Sequence, residues 1–276
     1  MPAAGAAAGA REALLAAAAL LLLLAVGKPL APLLPLGGDF VFTAVAAFQL
    51  YVPLRLMERH GELPESHRIH AHGLLLGPVA ALRRRRVLFR RRSGSRGLAS
   101  LDRLLASYGR GATLRWQPLR REVALVLGLV LLTFPPFAVG HHLWRHWLLA
   151  PGATLTFHLT LPPEYFSLVA TNLLLVALPE ELFYRGFVET RLERLWPTRR
   201  SLFGVPLGRT VFVASALFAL GHWFGEWGNP ARLGPFFPAF LFSLLARRQH
   251  SIVGAVTYHG LSNIFSATLL AGYRAG

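Results

Sequence analysis

The sequence predicts an all-α fold, a polytopic membrane helix bundle with seven transmembrane helices, or eight if one further apolar stretch also inserts. Of its 276 residues, 54% are hydrophobic, and the mean hydropathy is +0.45. Seven apolar runs approach the length of about 20 residues that a helix needs to cross the hydrocarbon core. Basic residues are distributed very unevenly between the connections, as is typical of membrane proteins with one fixed orientation.

The predicted spans are, in chain order, Glu12–Val26, Phe40–Met57, Val123–Gly140, Phe166–Phe187, Thr210–Phe224, Leu233–Ala246 and Ser251–Ala271. The sixth is the weakest because it is short and contains Pro235 and Pro238, so its helix is predicted to be kinked or to begin near Asn229. The stretch Ile69–Leu82 is too short to span and is typical of an interfacial or re-entrant helix. No small-residue cleavage site follows the first run, which therefore indicates a permanent helix rather than a signal peptide.

The distribution of charge predicts the orientation. With the N-terminus inside, 24 of the 29 Lys and Arg residues fall on the inner side, 4 fall outside, and Arg185 lies within the membrane. The positive-inside rule therefore predicts a multi-pass protein of the cell inner membrane with a cytoplasmic N-terminus. We divide the chain into residues 1–122, which are two spans plus the Arg-rich cytoplasmic loop Glu58–Glu122, and a catalytic transmembrane core, residues 123–276.

Two arginine runs in that loop, Arg83–Arg86 and Arg90–Arg92, are expected to lie against the anionic headgroups of the bilayer. We expect no nucleic-acid partner, because no aromatic residues that could stack on bases are interleaved with these arginines. The chain has no cysteine. Disulfides, thiolate catalysis and cysteine-ligated metals are thereby excluded.

The fourth span contains three charged residues in the stretch LLLVALPEELFYRGF, which begins at Leu173. A single charge at the bilayer centre costs about 2.5–3.5 kcal/mol even on the lenient insertion scale. Glu181 and Arg185 are four residues apart and can form a structural ion pair on one helix face. That interpretation does not account for Glu180, which points about 100° away around the helix and is a candidate functional acid.

Two later spans supply further polar side chains. The fifth reads TVFVASALFALGHWF and contains His222, and the last contains His259 and Asn263, four residues apart on one helix face. A single histidine in an apolar helix is more often a hydrogen-bonded core residue than a ligand. One glutamate, two histidines and one asparagine in three separate spans can nevertheless form one polar site inside the bundle.

These three stretches resemble the motifs of the CPBP family, also called the CAAX protease and bacteriocin-processing or Abi family. The family patterns are EExxxR, FxxxH and HxxxN. Here they read Glu180–Glu181–xxx–Arg185, Phe218–xxx–His222 and His259–xxx–Asn263. Each motif alone is weak, but all three occur in order on separate spans, over roughly the C-terminal two-fifths of the chain.

The resemblance implies a polytopic α-helical intramembrane protease of the glutamic type without a cofactor. It implies Glu180 as general base, His222 as a group that helps to hold the water, and His259 with Asn263 as oxyanion donors. The supporting residues would be Glu181, Arg185 and Phe218. An expected alternative is a zinc metalloprotease in which Glu180, His222 and His259 are the metal ligands and water is the fourth.

The expected partner is a membrane-anchored substrate protein, cut near its membrane-embedded or C-terminal tail. The family allows prenylated CAAX tails, bacteriocin leaders, anti-sigma factors and, in its myxosortase-like members, C-terminal sorting helices. One alternative function is a non-catalytic membrane scaffold or immunity-type binding protein. Another is an ion-coupled secondary transporter, although the chain lacks the paired repeats that such proteins usually have.

Overall fold

The computed structural model describes residues 2–69, 116–149, 155–199, 201–202 and 204–275. Within these ranges the chain is almost entirely helical, as predicted. The main helices are α1 (Pro2–Leu30), α2 (Gly37–Arg59), α3 (Trp116–Trp144), α4 (Tyr165–Leu195), α5 (Arg209–Gly225), α6 (Phe236–Gln249) and α7 (Val253–Gly272). Two short antiparallel pairings accompany them: β1 (Leu155–Phe157) with β4 (Tyr273–Ala275), and β2 (Ser201–Leu202) with β3 (Val205–Pro206).

Every predicted span is mainly helical, but in the described part of the chain only four helices are both long and apolar enough to cross a membrane. They are Gly5–Leu33, Gly37–Arg59, Arg120–Trp147 and Tyr165–Leu195. The helices α5 and α6 are short, with 17 and 14 residues. Helix α7 is continuous, but its polar residues, which include His259 and Asn263, make it less apolar. The chain is therefore a multi-pass membrane protein, while the count of seven or eight spans stays a prediction. The stretch predicted to be interfacial lies, beyond Ile69, outside the described residues.

The weak sixth span divides in two, as its prolines suggested. A 3₁₀ turn, Pro230–Leu233, comes first, and the Asn229 side chain accepts a hydrogen bond from the Ala231 amide at its start. Gly234 and Pro235 separate this turn from α6. Helical structure thus begins near Asn229 but is broken before the main helix.

Helix α4 is continuous but irregular, and its irregularity surrounds the two glutamates. π-helical turns occupy Asn172–Ala177 and Leu182–Val188, and one α-helical turn, Leu178–Glu181, lies between them. Pro179 lacks a backbone donor, and a widened turn next to it accommodates the missing hydrogen bond. Such π-turns occur frequently at functional sites.

The N-terminal helices pack directly on the core. Helix α1 contacts α2, α5 and the last turns of α4, while α7 packs against α6, α3 and the first half of α4. The contact face of α1 is rich in small residues, including the buried Ala10, Ala13 and Ala17, and also contains the buried Leu20. Small side chains let helix backbones approach closely in a membrane. Helices α1 and α2 therefore form part of the same bundle as the predicted catalytic core.

An ionic cluster around the buried Arg191 joins α1, the segment that follows α2, and α4 at one end of the bundle. The guanidinium of Arg191, which is 1% exposed, donates to Glu12 at 2.6 Å and to Glu62 at 2.8 Å. Glu62 also accepts from Arg194, and its Oε2 lies 2.9 Å from His67 Nε2. A neighbouring pair extends the cluster to α6, because Arg247 donates to Glu189 at 2.5 Å. Which compartment this end faces stays a prediction.

Acidification is expected to loosen this cluster. Burial raises the pKa of the Glu62 carboxyl, but the hydrogen bond from His67 and the positive charges around it outweigh burial and lower that pKa to about 2. A lowered carboxyl pKa stabilises the fold above the ordinary value near 4.5 and loses that contribution as the pH falls from 4.5 to 2. The thermal midpoint of the solubilised protein should therefore fall across this window.

The substitution Glu62→Gln should lower the free energy of unfolding by about 1–3 kcal/mol at neutral pH, because charged hydrogen bonds are lost. It should also flatten the dependence of the midpoint on pH between 4.5 and 2. Glu58→Gln is the matched control, since Glu58 pairs with an Arg55 side chain that is 60% exposed. Equal acid sensitivity in the wild type and Glu62→Gln would contradict the assignment.

Candidate active site

Helix α4 presents its adjacent glutamates to different surroundings. The Glu181 side chain is completely buried, whereas the Glu180 side chain is 18% exposed. The Oε2 atom of Glu180 is itself buried and accepts no hydrogen bond from any described residue. The two carboxylates therefore differ in the way the sequence suggested: one is engaged by partners, and the other is free to react.

Glu181 connects α4 to α7. Its Oε1 accepts a hydrogen bond from Arg185 Nη1 at 3.1 Å, so the predicted ion pair within the helix is formed. The same oxygen lies 2.9 Å from His259 Nδ1 on α7. Because a carboxylate only accepts hydrogen bonds, Nδ1 is the donor in this pair. Glu181 thereby fixes the orientation of the His259 ring and directs its Nε2 atom elsewhere.

The Arg185 guanidinium is completely buried and ties α4 to α5 and α6 as well. Its Nη2 donates to the carbonyl oxygen of Ala239 at 2.9 Å. Its Cζ lies 4.6 Å from the ring centroid of Phe218 and 5.0 Å from that of Phe242. A desolvated guanidinium over two aromatic rings gains cation–π attraction in addition to its hydrogen bonds. Arg185 thus contacts three helices through Nη1, Nη2 and the face of its guanidinium, while its buried Nε makes no hydrogen bond with a described residue.

Phe218 packs between the two motif histidines. Its ring centroid lies 4.5 Å from that of His222 and 5.7 Å from that of His259. On the opposite side, the His259 ring stacks on Phe242 with centroids 4.5 Å apart. The Nδ1 atom of His222 contacts the Phe218 carbonyl oxygen at 3.0 Å, which leaves its Nε2 without a partner among the described residues. Aromatic packing and one hydrogen bond at Nδ1 therefore orient each of the two imidazole rings.

The Nε2 atom of His259 faces Glu180, with 3.8 Å between Nε2 and Glu180 Oε2. That separation is too long for a direct hydrogen bond. Asn263 lies one turn further along α7 and is half-buried. Neither Asn263 nor His259 lines the cavity beside the site, whereas Glu180 and His222 do. His259 instead joins the site through its contacts with Glu181 and Phe218.

A cavity of about 210 Å³ opens beside the site. Glu180, Tyr184 and His222 line it from the core, and Leu24 and Gln49 line it from α1 and α2. Lys28 and Arg232 also belong to its wall, each largely exposed. Most other lining side chains are apolar: Phe42, Val45, Ala46, Leu175, Val176 and Phe218. The cavity is therefore shared between the N-terminal helices and the predicted catalytic core.

The alternative of a zinc ion held by Glu180, His222 and His259 stays a prediction. Among the described residues, no three His, Asp or Glu side chains are spaced to bind one ion together. His259 does have the partner that metal-bound histidines usually have, a carboxylate on its other nitrogen. Its Nε2 and Glu180 Oε2 converge, but His222 does not complete the set. No chemical step is therefore assigned to a metal.

Comparison with known families places this site in context. Residues 162–265 match the family model described as type II CAAX prenyl endopeptidase Rce1-like. This segment belongs to the Rce1-like family. The resemblance to CPBP proteins is thereby confirmed, and the Rce1-like segment supports endopeptidase activity. No curated protein and no solved structure matches the chain.

The matched segment contains all three motifs and ends before α7 does. Helices α1 and α2 lie outside it, although they form one wall of the cavity. Sequence reasoning missed this wall because residues 1–59 contain no motif. It also missed Phe242 and Ala239, which contact the site from the weakest predicted span. The run FFPAFLF around them gave only a hydrophobic signal.

Proposed function

We propose that this chain is an intramembrane endopeptidase that hydrolyses a peptide bond in or near the membrane-embedded or C-terminal tail of a substrate protein. In this proposal a water molecule activated by Glu180 is the nucleophile. The observation that carries it is the position of Glu180 in the Rce1-like segment, with a buried oxygen that accepts no hydrogen bond from the described residues, on the wall of a cavity. Such a carboxylate is available to accept a proton from water.

The proposed reaction has two steps. Glu180 takes a proton from the water, the water oxygen bonds to the scissile carbonyl carbon, and the carbonyl oxygen becomes an oxyanion. Glu180 then returns the proton to the amide nitrogen, the carbon–nitrogen bond breaks, and a carboxylic acid and an amine are released. A carboxylate that acts in this way typically contributes about 10²–10⁴-fold to the rate.

The histidines have separate roles in this scheme. His222 shares the cavity wall with Glu180, and the free Nε2 of its ring is suited to hold the water. His259 Nε2 lies 3.8 Å from Glu180 Oε2, so this nitrogen points towards the position proposed for the reacting atoms. We assign His259, protonated on both ring nitrogens so that Nε2 donates as well as Nδ1, to the oxyanion, where an oriented donor in a low-dielectric site is most effective. The family resemblance supports Asn263 as the second donor.

Glu181, Arg185 and Phe218 act in this proposal as positioning residues. Glu181 holds His259 through Nδ1, and Arg185 holds Glu181. Phe218 packs against Arg185 and against both histidines. This arrangement fixes the ring that faces the oxyanion without placing a second free carboxylate in the cavity.

The remaining expectations form part of the same proposal. The protein would reside in the inner membrane with its N-terminus in the cytoplasm and would need no cofactor. Its arginine runs, which lie outside the described residues, would bind anionic headgroups rather than nucleic acid.

Cleavage by purified protein in proteoliposomes tests the proposal. The probes are synthetic membrane-tail peptides: CAAX tails with and without a prenyl group, and sorting helices followed by arginines. Mass spectrometry of the products should reveal one cleavage position near the membrane, produced by the wild type and not by Glu180→Gln. Binding of a peptide without cleavage would favour the scaffold, and peptide-independent ion flux would favour the transporter.

A further inference from the structure

Gln49 is a buried polar residue that the proposed reaction does not use. It lies in the interior of α2, is 4% exposed, and lines the same cavity as Glu180 and His222. Its carboxamide makes no hydrogen bond within the described part of the chain. The residues around it on α2 that share the cavity are Phe42, Val45 and Ala46, so its own helix offers it an apolar surrounding.

The amide atoms of Gln49 are not among the enclosed side-chain atoms that lack a hydrogen-bond partner, so they are open to the cavity. An amide in an apolar wall is unfavourable as long as it stays unpaired, and water or a ligand in the cavity removes that cost. A leucine or methionine of similar volume would fill the same space without that cost. A partner that arrives from outside the chain accounts for the amide, and the cavity is the route by which this partner reaches it.

We propose that Gln49 is a substrate-binding residue that hydrogen-bonds a backbone peptide group adjacent to the scissile bond. The proposal rests on the peptidase function proposed above. A primary amide has both a donor and an acceptor, and it therefore matches the carbonyl and the N–H of a peptide group. The two cavity residues assigned to the reaction differ, because Glu180 only accepts and His222 has one nitrogen already engaged.

The placement of Gln49 gives α1 and α2 a role in substrate recognition. The Rce1-like segment supplies Glu180 and His222 from one wall of the cavity, while Gln49 faces the cavity from a helix outside that segment. A peptide that enters between the walls would contact both. The amide would then fix the register of the peptide relative to Glu180, which selects the bond that is cut.

A chemical double-mutant cycle tests this contact. The protein arms are the wild type, Gln49→Leu and the control Thr43→Val, which removes an exposed polar group from the same helix outside the cavity. The substrate arms are the peptide that the wild type cleaves best and analogues with one ester in place of an amide on either side of the scissile bond. An ester removes the N–H donor and weakens the carbonyl acceptor.

Gln49→Leu should raise KM roughly three- to tenfold with little change in kcat, as expected for the loss of one neutral hydrogen bond to the substrate. For one ester analogue, KM should rise by a similar factor with the wild type and with Thr43→Val. With Gln49→Leu the same analogue should show no further rise in KM. The thermal midpoint of Gln49→Leu should be equal to or above that of the wild type, which separates substrate binding from a structural role.

The assignment of Gln49 would be overturned by an unchanged KM in Gln49→Leu, or by an ester analogue that is still cleaved less efficiently than the amide peptide by this variant. Cleavage by the wild type would still support the peptidase function in that case. A lower thermal midpoint with unchanged KM would assign Gln49 to the fold instead. If the wild type neither cleaves nor binds any peptide of the panel, both proposals are wrong.

Discussion

Glu180→Gln should reduce cleavage at least ~100-fold, since the substitution keeps the size of the side chain and removes the group that accepts the proton from water. Glu180 Oε2 makes no hydrogen bond with a described residue, so the folded state loses little when the carboxylate becomes an amide. The variant is therefore expected to accumulate normally and to retain its thermal midpoint. Initial rates with the best peptide of the panel provide the measurement.

Glu164→Gln is a suitable control, because Glu164 is exposed at the start of the same helix. Its activity should equal that of the wild type. A Glu180→Gln enzyme that retains more than about a tenth of wild-type activity would show that another group activates the water. Loss of folding in this variant would instead assign Glu180 a structural role.

Arg185→Ala should have the largest effect on folding. It removes the buried charge that pairs with Glu181 and the donor that satisfies the Ala239 carbonyl. Breaking a buried ion pair from one side typically costs about 3–5 kcal/mol, because the remaining charge stays buried. We expect a markedly lower amount of protein in the membrane and a lower thermal midpoint, both measured on the same tagged variants.

A double substitution separates folding from catalysis. Glu181→Gln combined with Arg185→Met removes both charges, and such replacements of a buried pair are often neutral for stability. The double variant should accumulate better than Arg185→Ala. Its cleavage rate should nevertheless remain low, because His259 loses its charged partner. Arg55→Ala, which breaks an exposed pair with Glu58, should change neither property. Normal accumulation and normal activity of Arg185→Ala would show that the pair is dispensable.

Much of the fold could be predicted from the sequence. The helix that contains Glu180 was predicted as Phe166–Phe187 and extends over Tyr165–Leu195, because polar residues beyond Phe187 are paired within the ionic cluster instead of ending the helix. The interruption before α6 followed from its prolines. The π-turns of α4 could not be predicted, since they depend on how neighbouring helices pack against Pro179.

For the site, local spacing was informative and relative placement was not. The pair of Glu181 with Arg185 follows from their separation of four residues, and it is formed. The link between Glu181 and His259 joins residues 78 positions apart, so it depends on the rotation of α7 against α4. The sequence predicted that His222 and Asn263 belong to one polar site. Of these two residues only His222 lines the cavity, because a position along a helix axis does not specify the direction of a side chain.

Gly260 illustrates what spacing alone cannot show. A Cβ atom at this position would lie 2.4 Å from the Leu173 side chain, so the absence of a side chain lets α7 approach α4 next to His259. In the sequence this glycine is merely one of the three residues between His259 and Asn263 in one motif. Close helix approach through small residues is a general device of membrane bundles, and here it brings His259 within reach of Glu181.

The most direct test of water activation by Glu180 is the metal dependence of cleavage by the purified enzyme. Zinc content per chain is measured in the same preparation in which initial rates are recorded with and without strong chelators. The account predicts cleavage at full rate with far less than one zinc per chain, unaffected by chelation. Loss of cleavage on chelation, with recovery on addition of zinc, would contradict it and would make Glu180 a metal ligand rather than the base.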